Sequence, residues 1–325
     1  MGAMRAIDGD ADTMGADFTG TATGDGSAQT TVGADNAVGP RTRPPAEGQR
    51  IGEFTLLKPL GEGGMGVVFA AWSHKLARKV AIKLPTRNLD DTVRARIVRE
   101  AQSLAQVDHP NVVQIYEIGE VDGTLFIAME LVEGVTLKRW QSESTHGWRE
   151  LLHMYLQAGR GLAAAHHQGL IHRDFKPSNT LVDREGRVRL IDFGLARMRD
   201  SSRDVAPTVD SDEHVSGPEF VLTSRCGTPR YMAPELYETG GTVDARSDQY
   251  SFCVALWEAL FGELPDFKRT APQGASRRAP GWLLRHLRRG LSYRREDRFP
   301  SMDALLAELE RGLAPPRRPL TVAAL

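Results

Sequence analysis

The chain has 325 residues, 41% of them apolar, with 41 Lys and Arg against 42 Asp and Glu, a formal net charge of −1. That length can bury a sizeable core as two lobes or domains, and the balanced charge points to neither nucleic acid nor a membrane surface as partner. No window holds the roughly 18 apolar residues of a spanning helix, no basic patch leads an apolar run as in a secretory leader, and Cys226 and Cys253 are too few for a disulfide framework or a four-ligand zinc site, so a soluble cytoplasmic protein is expected.

Residues 1–50 are rich in Gly, Ala, Thr and Asp, with Phe18 the sole aromatic. Such a stretch cannot bury enough apolar surface to offset its ordering entropy, so it reads as a disordered tail, either solubilising or regulatory through its threonines. From Ile51 the pattern changes. Phe54 to Leu60 reads as a strand before a Gly-rich turn, and Val67-Val68-Phe69-Ala70 and Lys79-Val80-Ala81-Ile82-Lys83 as short β-branched strands. Val93, Ile97, Ala101 and Leu104 share one helical stripe. Val112–Ile118 and Leu125–Leu131 read as strands again, so residues 51–131 form a small sheet with one helix. Past Gly134 the chain turns helical: Glu150–His166, Ser247–Phe261, Trp282–Arg289 and Ser301–Glu310. The second of these is apolar nearly all round, which marks a central buried helix. Asp200–Ser224 is polar and without period, the signature of a functional or disordered loop.

Three clusters carry chemistry. Gly61-Glu62-Gly63-Gly64-Met65-Gly66-Val67-Val68 fits G-x-G-x-x-G-x-V, where missing Cβ atoms let backbone approach phosphate oxygens. A dinucleotide fold would need a helix directly after the glycines, and the β-branched residues there favour a strand. Lys83 ends an apolar strand, and Glu100 shares the buried stripe of its helix, where an unpaired carboxylate is costly. Lys83 is one cationic partner for it; Arg96 and Arg99 on the same helix are the others. His172-Arg173-Asp174-Phe175-Lys176-Pro177-Ser178-Asn179 is a charged loop between apolar flanks. Asp192-Phe193-Gly194 follows eighteen residues after Asp174, and a hairpin at Arg184-Glu185-Gly186 brings Asn179 and Asp192 together as oxygen ligands suited to Mg²⁺.

In this order, and with Ala233-Pro234-Glu235 completing the set, these motifs resemble those of protein Ser/Thr kinases of the eukaryotic-like (Hanks) type, in a bacterial style. The resemblance runs from about residue 54 to about 312. It implies an α+β bilobal protein-kinase fold, with a small mainly antiparallel β-sheet N-lobe (51–131) holding one helix and a larger helical C-lobe (135–312), between the tail 1–50 and a short tail 313–325. It implies ATP-dependent phosphorylation of Ser and Thr in proteins. Gly61, Gly63 and Gly66, with Glu62, Gly64 and Met65 between them, would fold over the phosphates. Lys83 would hold the α- and β-phosphates while paired with Glu100. Asp174 would take the acceptor proton, and Lys176 would contact the γ-phosphate. Asn179 and Asp192 would hold two Mg²⁺ ions, Mn²⁺ being the alternative. The adenine would lie against Met129, Glu130, Leu131 and Val132, with Leu60, Val68, Ala81 and Leu181 as walls that also read as ordinary core residues.

The resemblance also assigns scaffold and regulation. Arg173 would pair with a phosphate on the loop between Asp192 and Glu235, with Thr223 or Ser224 as self-phosphorylation sites and Thr228 as a structural residue near the base. Asp248 would anchor the catalytic loop backbone, and Glu235 and Arg298 would form a buried ion pair. Cys253 stands where the family usually has Gly, and Cys226 reads as an ordinary small residue or a redox handle. An intact set of Lys, base Asp and metal Asp argues against a nucleotide-binding scaffold without turnover. The activation loop and Ala-Pro-Glu argue against a small-molecule phosphotransferase. Expected partners are ATP and Ser/Thr protein substrates, with signal input from a partner, the N-terminal tail or self-association.

Overall fold

Strands β1 (Arg50–Ile51), β2 (Phe54–Gly63), β3 (Gly66–Ser73), β4 (Arg78–Leu84), β5 (Ile115–Val121) and β6 (Thr124–Met129) form one antiparallel sheet in the order β1-β2-β3-β4-β6-β5. The computed structural model describes residues 45–63, 66–84, 90–193, 230–237, 243–266 and 279–314, all within a unit that begins at Pro44. Successive strand residues face opposite sides, so Phe126 and Ala128 join Phe54, Phe69, Val80 and Ile82 in one core, while Leu125 and Ile127 join another with helix α1 (Asp91–Ala105). Asp90 caps α1 by accepting the Val93 N–H, and Ile97, Ala101 and Leu104 form its buried stripe. Pro59 sits in β2 between two register shifts, where a missing N–H is tolerated.

The second lobe holds a three-stranded sheet of β7 (Gly134–Thr136), β8 (Thr180–Asp183) and β9 (Val188–Leu190), and helices α2 (Leu137–Glu143), α3 (Trp148–His167), α4 (Ala245–Phe261), α5 (Gly281–Gly290) and α6 (Met302–Leu313). Helix α4 is buried on almost every side and runs between α3, α5 and α6. Among the described residues no helix is long and apolar enough to cross a membrane.

The structure corrects the sequence reading at several boundaries. Residues 45–50, assigned by composition to the tail, pair with the sheet: the Gly48 N–H bonds Leu56 O at 2.9 Å, and Arg50 lies opposite Thr55. Backbone pairing needs no apolar side chain, so composition misses it. The strand read from Val112 begins at Ile115, and Val112 instead makes a single parallel bridge to Leu190. Helix α2 and strand β7 were not read, because seven and three residues are too short to show a period. Residues 1–44 and 315–325 lie outside the described residues.

Candidate active site

The glycine run closes the β2–β3 hairpin, with Gly61 opposite Val68 and Gly63 opposite Gly66. Gly66 has φ 145°, open only to glycine without strain. A strand follows the glycines, which excludes the dinucleotide-fold geometry. Register then gathers distant residues. Val68 lies opposite Lys83, Lys83 is two residues from Ala81, and Ala81 lies opposite Met129. Opposite residues and i, i+2 residues share a face, so all four line the side of the sheet turned away from Phe69, Ile82 and Ala128. Leu60, read as a pocket wall, is 46% exposed, and Glu62 is exposed in the same hairpin strand. Gly64 and Met65 lie outside the described residues.

Lys83 is buried, and its Nζ lies 2.6 Å from Asp192 Oδ1. The pairing of Lys83 with Glu100 is not formed. Glu100 instead faces Arg173 across 3.8 Å, and its Oε2 is buried without a hydrogen-bond partner. Burial pushes the Glu100 carboxyl above its ordinary value, against the pull of Arg173 and Arg96. Two carboxylates compete for one ammonium here, and the one that begins the Asp-Phe-Gly segment holds it.

The loop His172–Asn179 is a knot of polar contacts in which His172 Nδ1 and Arg173 Nε are left buried without a partner. Asp248, buried in the first turn of α4, accepts the His172 N–H at 2.7 Å and the Arg173 N–H at 2.8 Å, and lies 2.8 Å from His166 Nε2. His172 Nε2 reaches Ile191 O at 3.1 Å, and its ring meets Phe193 at a 33° tilt with centroids 4.6 Å apart. Burial depresses the basicity of His172 despite Asp248 and Asp174 nearby. Lys176 Nζ lies 2.7 Å from Asp174 Oδ2, and Asn179 Nδ2 donates to Asp174 O at 2.9 Å and to Asp174 Oδ2 at 3.0 Å. Both side-chain contacts fall on Oδ2, so Oδ1 is left as an acceptor with no hydrogen bond among the described residues. The Ile191 N–H bonds Asn179 O at 3.1 Å, which seats Asp192 beside the knot. Arg173 and Asp192 both hold left-handed backbones, φ 62° and 58°. Such conformations cost on the order of 1–3 kcal/mol each and persist where surroundings impose them.

A divalent ion fits the donor set. The Asn179 amide nitrogen is committed to Asp174, so its oxygen is the atom left to face a ligand, and Asp192 adds carboxylate oxygens. Oxygen donors from two residues, completed by phosphate and water, suit Mg²⁺. Among the described residues no three His, Cys, Asp or Glu side chains cluster as a metal site of their own.

Below the site, Arg298 meets Glu235 through two contacts of 2.8 Å, both side chains buried. Burial alone would raise the Glu235 carboxyl, but Arg298, its own N–H and Ser247 together hold it below the usual range. Cys253 is buried and burial pushes its thiol well up, so it packs as a small apolar group. Leu181 lies opposite Thr136 and Arg189 in the β7–β8–β9 sheet. Glu130 and Leu131 form the link between lobes: the Glu130 N–H bonds Gln114 O at 2.8 Å, and its carboxylate lies 3.3 Å from Arg189 Nη2. The sequence reading missed Arg189, Gln114, His166 and Ser247, whose partners lie 12 to 82 residues away and leave no local period. Thr223, Ser224, Cys226 and Thr228 lie outside the described residues.

The model of the protein kinase domain matches residues 54–294. Among curated proteins, the chain is 40% identical over 219 residues to the serine/threonine-protein kinase pkn2 of Myxococcus xanthus, covering 66% of this chain and 25% of that protein. It is 37% identical over 224 residues to the serine/threonine-protein kinase PrkC of Bacillus subtilis, covering 67% and 32%. The chain thus spans about a quarter to a third of the length of these relatives. The kinase domain of Mycobacterium tuberculosis PknI superposes with a TM-score of 0.64 at 26% identity, covering 82% of this chain and 98% of that one.

Proposed function

The chain belongs to the protein kinase family, and on that premise we propose that it transfers the γ-phosphoryl group of ATP to serine or threonine hydroxyls of proteins. The observation that carries this reading is the knot of Asp174, Lys176 and Asn179, held beside Asp192 and hung from Asp248. Phosphoryl transfer needs placement and charge neutralisation more than covalent help. Asp174 Oδ1 accepts the acceptor hydroxyl proton while Lys176 and Asn179 fix Oδ2 and so the orientation of the carboxylate. The acceptor oxygen forms its bond to the γ-phosphorus as the bond to the β–γ bridging oxygen breaks, and ADP leaves with that electron pair. Lys83 supplies cationic charge to the phosphates, and Lys176 draws the γ-phosphate toward Asp174. Asn179 and Asp192 would hold Mg²⁺ or Mn²⁺, which neutralises phosphate charge when bound. Lys176, two residues after the base, favours Ser/Thr over Tyr acceptors through its resemblance to that branch. Thr223 or Ser224 is the proposed self-phosphorylation site, which peptide mapping with phosphate found only outside 195–230 would exclude.

The test is the intact mass of the purified chain before and after Mg-ATP, beside Asp174→Asn. A gain of about 80 Da per phosphate in the wild type alone is expected of a general base at Asp174. No gain with nucleotide bound would favour a scaffold, and no binding would overturn the reading of the glycine hairpin. A soluble, cytoplasmic setting is proposed with it.

A further inference from the structure

Arg189 lies mid-strand in β9 between the fully buried Val188 and Leu190, so it faces the other side of the sheet, the side of Leu181 opposite it. Its side chain is only 11% exposed, and its Nη2 reaches the Glu130 carboxylate of the inter-lobe link at 3.3 Å. Its Nε is buried without a hydrogen-bond partner. A buried guanidinium with one donor unsatisfied is costly, and an apolar side chain of that volume would fill the space without the cost. The retained charge therefore asks for a role in placement.

The surrounding bonds show what is placed. Strand β9 is tied to the segment before β5 by Val113 N–H to Leu190 O at 3.0 Å, Leu190 N–H to Asn111 O at 2.9 Å and Asn111 Nδ2 to Val188 O at 2.8 Å. The next residue, Gln114, accepts the Glu130 N–H at 2.8 Å, while its own N–H approaches Glu130 Oε2 at 3.5 Å. Arg189 closes this circuit by gripping the other carboxylate oxygen. Glu130 is thereby fixed at both its amide and its side chain. The Glu130 carbonyl and the Leu131 and Val132 backbone groups make no backbone hydrogen bond among the described residues, so the groups left over are those that can read a flat heterocycle.

We propose that Arg189 is a positioning residue for the nucleotide, fixing through Glu130 the link backbone that reads the adenine; this rests on the kinase reading. The experiment uses the full chain and measures the Kd of a non-hydrolysable Mg-ATP analogue by calorimetry, with KM for ATP, KM for an acceptor peptide, kcat and thermal midpoint. Arg189→Met is expected to raise the analogue Kd and the KM for ATP about tenfold, within the range of coupling between contacting groups, with kcat and peptide KM within about twofold. Arg189→Lys is expected to recover part of the affinity. The double variant with Glu130→Gln is expected to bind no more weakly than the weaker single one. An unchanged analogue Kd in folded Arg189→Met would overturn the proposal, as would a rise in kcat at unchanged Kd, which would make the pair a restraint on lobe motion. If Arg189→Met does not fold, Arg189→Lys and Glu130→Gln carry the same test at matched thermal midpoints. A wild type that binds no nucleotide overturns the kinase reading, whereas a binding wild type with an equally binding variant overturns this proposal alone.

Discussion

The catalytic loop and helix α1 flank the same cleft and are built on opposite terms. Around the loop, the carboxylates of Asp248, Asp174 and Glu235 each accept from cations or N–H groups at 2.7 to 3.0 Å. On α1, the one ion pair of Glu100 among the described residues is with the loop's Arg173 at 3.8 Å, its Oε2 is orphaned, and Arg173 Nε is buried without a partner. Satisfied buried networks resist change because any displacement exposes an unpaired group; unsatisfied ones carry little penalty for moving. The loop is thus set in place before substrate arrives, while α1 has a second ion pair available to it. A cavity of about 190 Å³ lies between Glu100, Arg173 and Phe193, so α1 meets the loop over open space there.

The largest break in the comparison comes from the saturated side. Arg298→Met leaves the buried Glu235 carboxylate only Ser247 and its own N–H, both neutral, and breaking such a pair costs about 3–5 kcal/mol. Chemical denaturation at pH 7 is expected to show that loss. Because Glu235 titrates below its unfolded value of 4.5 in the fold, its stabilisation is full above about that pH and is lost as pH falls through the folded value. The wild-type advantage over Arg298→Met should therefore shrink on acidification, and a constant difference down to low pH would contradict the pair's electrostatic origin.

Lys83→Met comes next. It removes the cation at Asp192 and should lower kcat by about 10²–10³-fold, the usual effect of losing one charge stabiliser in a polar site, at nearly unchanged thermal midpoint. A folded Lys83→Met with wild-type turnover would contradict the assignment of Lys83. Gly290→Ala probes whether the C-lobe has slack. A Cβ on Gly290 would overlap the Cys253 sulfur inside the core. Overpacking of this kind costs about 1–3 kcal/mol, and Cys253→Gly in the same chain should restore part of it. No restoration would mean that the strain lies in the backbone of α5 instead.

Much of this contrast was legible in the sequence, but unevenly. The family resemblance assigned Val68, Ala81 and Lys83 to one site, which strand pairing places on one face, and the stripe through Ile97 and Leu104 put Glu100 toward the interior. Motif spacing brought Asn179 and Asp192 to one place, which the Ile191 to Asn179 bond achieves. The partner of Lys83 was not legible, because the competing carboxylates stand 17 and 109 residues away and local pattern does not rank them. Arg189 was invisible for the same reason: it stands in a short hairpin strand, and its partner lies on the link 59 positions earlier.

The smallest predicted effect separates the two regions most cleanly, because it has opposite signs in stability and activity. Burial raises the Glu100 carboxyl above 4.5, so the folded state binds its proton more tightly than the unfolded chain does. Below that pH the group is protonated in both states and carries no penalty. As pH rises past it, the buried charge begins to oppose folding. Glu100→Gln keeps the shape and removes the charge, so it should stabilise the chain at pH 7 by roughly 0.5 kcal/mol, a gain that fades below about pH 4.5. Turnover should fall in the same variant, since an amide cannot take over Lys83 from Asp192 as a carboxylate can. Equilibrium denaturation across pH, beside initial rates at pH 7, reads both signs. A variant that loses stability at pH 7 would place Glu100 among the satisfied groups of the loop and remove the contrast between the two regions.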